Sequence, residues 1–234
     1  MNALVLVLLL GGAPAAPVSP AAKFNTDGFR AYQAKKYADA LALFKQGFTA
    51  DEKHALSHYN YAATLGLLRK QGKVCEFDAY QSAVLEHLEV AVKLDEGRRK
   101  RMQKDGDFDS IRDTVRYLRL LGKDPAKVSD ARAFVTGVTW FAPSVGVYGN
   151  MAELKLTGNT FTLSRKVMND ATGEVSVVKH TGSFTVLPSD GTVTLIFNKA
   201  FEGKSQLEGR LTAEGHLVFA VLGELTDERS ECDA

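Results

Sequence analysis

The sequence is poor in net charge, in cysteine and in long apolar runs, and each shortage excludes something. Its 234 residues carry 29 basic and 28 acidic side chains, a formal charge of +1, so no whole-chain field draws it to nucleic acid or anionic lipid. Neither is expected as a partner. The apolar run from Leu4 to Leu10 falls well short of the roughly 20 residues that cross a bilayer. No Gly-x-Ser-x-Gly turn, Gly-x-x-x-x-Gly-Lys-Ser phosphate loop or dinucleotide Gly-x-Gly-x-x-Gly occurs, which leaves those nucleophile and nucleotide chemistries without their residues. With 45% hydrophobic and 24% charged residues, the chain is nonetheless that of a folded protein.

What is present begins with an address. Behind Leu10 comes Gly-Gly-Ala-Pro-Ala-Ala-Pro, where Ala13 with Ala15, or Pro14 with Ala16, supplies small residues for a signal peptidase. The pattern predicts an export signal over residues 1–16, cut near Ala15 or Ala16, a short lead-in over 17–22, and a periplasmic or secreted protein without membrane insertion after the signal is removed. The two cysteines, Cys75 and Cys232, are an even count in an exported chain and predict one disulfide. Closing so long a loop is worth roughly 4 to 5 kcal/mol in the chain-entropy model.

Composition breaks near residue 133. Residues 23–133 hold 7 Gly and a charge of +5, with Ala, Leu, Lys, Arg and Glu at helical spacing; residues 134–234 hold 11 Gly and a charge of −4, with alternating Val, Thr, Phe and Leu. The reading is an α+β two-domain protein, helical over 23–125 and antiparallel β over 134–234. Asp124 and Pro125 end the helical pattern, and Ala126 to Ala133 is read as the connector.

In the helical half, Phe24, Gly28, Tyr37, Ala40, Phe44 and Gly47 place large residues on two helix faces and small ones where helices approach. This spacing resembles the tetratricopeptide repeat, with Gly47 where that motif has alanine. A second unit starts near Ala55 with Tyr59-Asn60-Tyr61-Ala62 and ends at Leu88, Ala91 and Val92-Lys93-Leu94-Asp95. It is about ten residues too long, so 71–80, with Cys75, is read as an inserted loop. Lys104-Asp105-Gly106-Asp107-Phe108-Asp109-Ser110-Ile111-Arg112 resembles the segment that closes such stacks in bacterial proteins. The resemblance implies a concave face that holds peptide or protein, here presenting Asn25, Phe29, Tyr32 and Tyr59, with His58 nearby. Carboxyl-terminus capture is not implied, because Asn25 and Phe29 stand where that variant has Lys and Asn.

In the β half, apolar alternation at Leu154 and Leu156, Phe161 and Leu163, Phe184 and Val186, and Val193, Leu195 and Phe197 is punctuated by turns such as Gly158-Asn159 and Pro188-Ser189-Asp190-Gly191. About eight short strands are expected, in a closed barrel or a two-layer sandwich. The pattern is similar, in general outline only, to small lipocalin-like barrels, with Gly137-Val138-Thr139-Trp140 near the family's opening Gly-x-Trp. A barrel of eight strands can be filled by its own side chains or hold one small apolar ligand; a continuous cavity lined by Phe161, Phe184, Phe197 and Phe219 would favour an apolar-ligand carrier, the alternative function.

Other clusters carry less. Asp51, His54 and His58 share a helical face but lack a further ligand, so no metal or cofactor is expected. Ser176 and Lys179 have Ser-x-x-Lys spacing, but on a strand they point to opposite faces. Arg98-Arg99-Lys100-Arg101 with Lys104 lacks interleaved aromatics and reads as a solvated face or a contact with the acidic β half. An enzyme would need His54, His58 or His180 to converge with carboxylates in a cleft. The expected function is therefore non-enzymatic protein binding through the concave helical face.

Overall fold

A computed structural model describes residues 18–232; the expected export signal lies outside the described residues. The lead-in ends sooner than expected, because helix α1 (Pro20–Gln33) begins within it. Ser19 caps that helix, its hydroxyl accepting from the Ala22 amide at 3.2 Å, and Pro20 stands where an N–H is not needed. Ala21 is already buried.

Helix α1 lies against α2 (Tyr37–Ala50) through a contact that only glycine allows: a Cβ on Gly28 would stand 2.7 Å from Phe44 Cε1. Helix α3 (Ala55–Lys70) packs on α2, and α5 (Gln81–Leu94) packs on α3. The inserted stretch between α3 and α5 folds locally into a single turn, α4 (Val74–Phe77), which carries Cys75. Beyond α5 come α6 (Gly97–Met102), a 3-10 turn (Gly106–Ile111) and α7 (Val115–Leu120). The 3-10 turn is pressed onto α3, where the Ser110 hydroxyl donates to the Gly66 carbonyl at 3.1 Å and a Cβ on Gly66 would meet the Asp107 carbonyl at 2.4 Å. Phe108 and Ile111 thereby enter the core built around Tyr59, Leu65 and Leu88.

The connector expected at 126–133 is instead the start of a helix, α8 (Val128–Gly137). Ala131, Phe134 and Val135 fall at i, i+3 and i+4 and bury one helical face. Phe134 and Val135 belong to the core of the β half, so the composition break falls inside a helix that serves as that domain's lid. Strands begin six residues later than expected.

Those strands are β1 (Trp140–Phe141), β2 (Ala152–Thr157), β3 (Thr160–Met168), β4 (Val175–Val186), β5 (Thr192–Phe201), β6 (Lys204–Leu211), β7 (Leu217–Phe219) and β8 (Gly223–Leu225). Each pairs antiparallel with the next. Reciprocal hydrogen bonds between Phe141 and Thr226, at 2.7 and 2.9 Å, bring the first strand to the end of the last and make a nearly closed barrel rather than a sandwich. Trp140 is fully buried, its indole N–H donating to the Val135 carbonyl of α8 at 3.2 Å.

The chain then returns to the helices. Residues 227–232 run along them as a strap that ends in a disulfide between Cys232 and Cys75, with a Cα–Cα distance of 5.8 Å. Asp227 accepts from the Val115 amide at 2.7 Å, and Glu231 from the Gln81 amide at 2.9 Å. These amides open α7 and α5, so two acidic side chains satisfy donors that have no partner within their own helices. Arg69 Nη1 lies 2.5 Å from Glu231 Oε1, with both side chains largely buried, and Arg229 reaches Asp113 at 2.9 Å.

Removing one partner of a buried pair leaves an uncompensated charge, at a cost of about 3 to 5 kcal/mol. Arg69→Met should therefore lower the unfolding free energy by that order in urea titrations, and Cys75→Ser should lower it further. An unchanged midpoint in Arg69→Met would show that the pair does not hold the strap.

Candidate functional site

The inner side of α1 and α3 forms a hollow of about 210 Å³, lined by Phe29, Tyr32, Tyr59, Arg101, Asp105 and Asp107 among others. Helical periodicity sets its walls: Phe29 and Tyr32 line it from α1, on the face that Asn25 shares one turn earlier without reaching the hollow, and Tyr59, Asn60 and Ala63 line it from α3. The third wall comes from α6 and the turn that follows it.

The four residues expected to contact a partner are brought together but play different parts. Phe29 is the exposed one, at 38% accessibility, stacked at 6.1 Å on Tyr32. Tyr32 is partly exposed, and its hydroxyl donates to Asp107 Oδ2 at 2.6 Å. Tyr59 is 1% exposed and forms the floor; its hydroxyl donates to Asp105 Oδ2 at 2.8 Å and its ring meets Phe108 edge-on at 5.4 Å. Asn25 is buried, accepting from the Asn60 side-chain amide at 2.9 Å. Tyr59 and Asn25 therefore hold the hollow in shape. Burial, reinforced by the bonds to Asp107 and Asp105, pushes the Tyr32 and Tyr59 hydroxyls well above their usual range, so both stay protonated donors. Burial also pushes the Asp107 carboxyl up.

The basic run supplies the residues that sequence reasoning missed here. The Arg98 and Arg101 guanidinium groups lie 5.7 and 5.2 Å from the Tyr59 ring centroid, at cation–π range. Arg98 also pairs with Asp95 and Arg99 with Glu96. The run is thus bound within its own half rather than docked on the acidic β half. Asp105, Asp107 and Asp109, directly after the run, were the available signal.

The histidines do not converge on a cleft. His54 caps α3, accepting from the Ser57 amide at 3.3 Å, while Asp51 accepts from the Lys53 amide at 3.0 Å. His58 turns instead to His87, with Nδ1 atoms 3.0 Å apart, in a cluster with Phe48 and Tyr61. His180 packs on Phe201 at 4.9 Å. Among the described residues no group of three His, Cys, Asp or Glu side chains is arranged to hold a metal ion, and no helix is long and apolar enough to cross a membrane.

The four barrel phenylalanines, Phe161, Phe184, Phe197 and Phe219, are all buried in one apolar core. Phe161 meets Phe197 edge-on at 5.0 Å, and Phe197 stacks on Phe201 at 5.1 Å. They pack on protein side chains.

The His58–His87 contact makes stability depend on pH. Burial, then the neighbouring His58, lowers the His87 pKa from 6.5 to about 4. The unfolded chain therefore takes up a proton first, so stability is complete above the unfolded value and falls as pH drops from about 6.5 towards 4. Melting temperature should fall over that interval, and less steeply in His87→Gln; equal slopes in the two proteins would contradict the assignment.

No protein-family model matches this chain, and no curated protein matches it.

Proposed function

We propose that this chain is a non-enzymatic protein-interaction module of the bacterial envelope or extracellular space. It binds a peptide segment of its partner through the hollow of two tetratricopeptide-like hairpins. The observation that carries the reading is the hollow itself, with an exposed aromatic at its rim and hydrogen-bonded tyrosines, carboxylates and arginines fixed around it. Its volume lies below the roughly 300 to 1,000 Å³ of small-molecule pockets. That size suits one anchoring side chain of a larger partner. A rigid rim aromatic beside arginine is also the composition enriched where binding energy concentrates.

The disulfide supports placement in an oxidising compartment, where such bonds persist. The alternative, an apolar-ligand carrier, has less support because the expected lining phenylalanines are packed against one another.

The test is selection from a displayed library of random peptides on the full disulfide-bonded chain. Enriched peptides should bind with micromolar affinity, and Phe29→Ala should weaken them at least about tenfold, or about 1.4 kcal/mol, without changing the melting temperature. Arg101→Ala should shift the charge preference of the selected set. Peptides that bind Phe29→Ala as well as the parent, or a library that yields none, would overturn the reading.

A further inference from the structure

Among the described residues, the outer half of β4 is a sheet edge with no paired strand beside it. Strand β4 pairs with β3 along Val175 to Ser183, but its pairing with β5 starts only at Gly182 opposite Phe197. The Asn169 amide donates to the Glu174 carbonyl, and the Phe184 amide to the Asn159 carbonyl. These bonds fix the alternation: even-numbered residues of β4 turn their backbone groups towards β3, and Val175, Val177 and Lys179 turn theirs away. Among the described residues, nothing accepts from or donates to those three on their outward side. At Thr181 strand β5 is already alongside, the Asn198 side chain donating to the Thr181 hydroxyl at 3.2 Å, so the open stretch ends there.

The edge has only one of the usual guards, a single lysine. Proline is absent from Val175 to Thr181, and the sole charged side chain there is Lys179. Valines line it, with Val177 at 59% accessibility and Val175 and Val178 also exposed. Unpaired N–H and C=O groups in a row call for an extended backbone rather than a helix or a small molecule.

We infer that this edge is an interface with a second copy of the chain, in which two β4 strands pair antiparallel about a two-fold axis through Val177. The choice of a second copy follows from register. With Val177 opposite Val177, the two outer pairs place Val175 opposite Lys179, and all three outward-facing residues of each strand are used. A shift of two residues in either direction loses a pair. On the other face the same register sets Glu174 opposite His180, a favourable polar match, and nowhere places like charges directly opposite. The edge is self-complementary, as an isologous two-fold contact requires, and the two β3–β4 hairpins would become one continuous four-stranded ribbon.

Sedimentation velocity of the full disulfide-bonded chain, run as a concentration series, tests this. The parent should pass from monomer to dimer in the micromolar range. Val177→Lys sets two like charges opposite each other on the axis and should remain monomeric at every concentration, with unchanged circular dichroism and melting temperature. Val175→Lys, which faces Lys179 of the second copy, should do the same and serves if the first variant misfolds. Val177→Thr keeps a β-branched residue and should still dimerise. A parent that stays monomeric, which would leave the edge to another protein's strand or to none, overturns the inference. So does a dimer that Val177→Lys leaves intact.

Discussion

The strap at residues 227–232 is the constraint on which the rest of the molecule depends. The helices up to α5 do not complete their own core, because the cluster around Tyr59, Leu65 and Leu88 takes in Phe108, Ile111 and Tyr117 from segments beyond them. The missing part is assembled from later stretches of the chain. The 3-10 turn covers one side of α3, and the strap ties the starts of α5 and α7 to the end of the barrel. The Arg69–Glu231 pair at its centre would be costly if made alone, since both charges leave water. Glu231 offsets part of that cost by also accepting the first amide of α5, and the disulfide one residue later keeps the pair together by shortening the unfolded chain.

The opposite charges of the two halves therefore act through a few placed contacts and not as a general field. Asp227 and Glu231 meet helix starts, where the helix dipole favours an anion. Arg119 donates to the carbonyls of Ala213 and Glu214, at 3.2 and 2.9 Å, on the barrel side. The densest basic run takes no part: two of its arginines lie over Tyr59 and so help to build the hollow. Charge counted by domain was a guide to docking, but it did not identify the residues that dock.

Periodicity made the helical hairpins and the strand succession legible, because burial of one face leaves a trace at every third or second residue. It failed at α8 for a physical reason. Ala131, Phe134 and Val135 carry a helical spacing too brief to separate from an apolar run that precedes a strand. Depth was also illegible. Spacing placed Asn25, Phe29, Tyr32 and Tyr59 on one side of their helices, but how deep each lies is decided by partners distant in sequence, 35 residues on for Asn25, 75 for Tyr32 and 46 for Tyr59. The strap left no pattern at all apart from Cys232, since a six-residue extended segment has no period to read.

The hollow and the β4 edge would recognise in different ways, and that difference bears on how the protein would work. The hollow offers side-chain chemistry on α1, α3 and the closing turn; the edge offers backbone donors and acceptors on a hairpin of the barrel. They share no residue, so pairing through Val177 leaves Phe29 and Tyr32 uncovered. A dimer joined at the edge would carry two hollows held by rigid elements rather than by a flexible linker. Such a pair gains affinity for a partner with repeated segments only where their separation matches that between the hollows. Rigid spacing would thus make the arrangement selective for the geometry of the partner as well as its sequence, and this selectivity would depend on the strap that fixes barrel to helices.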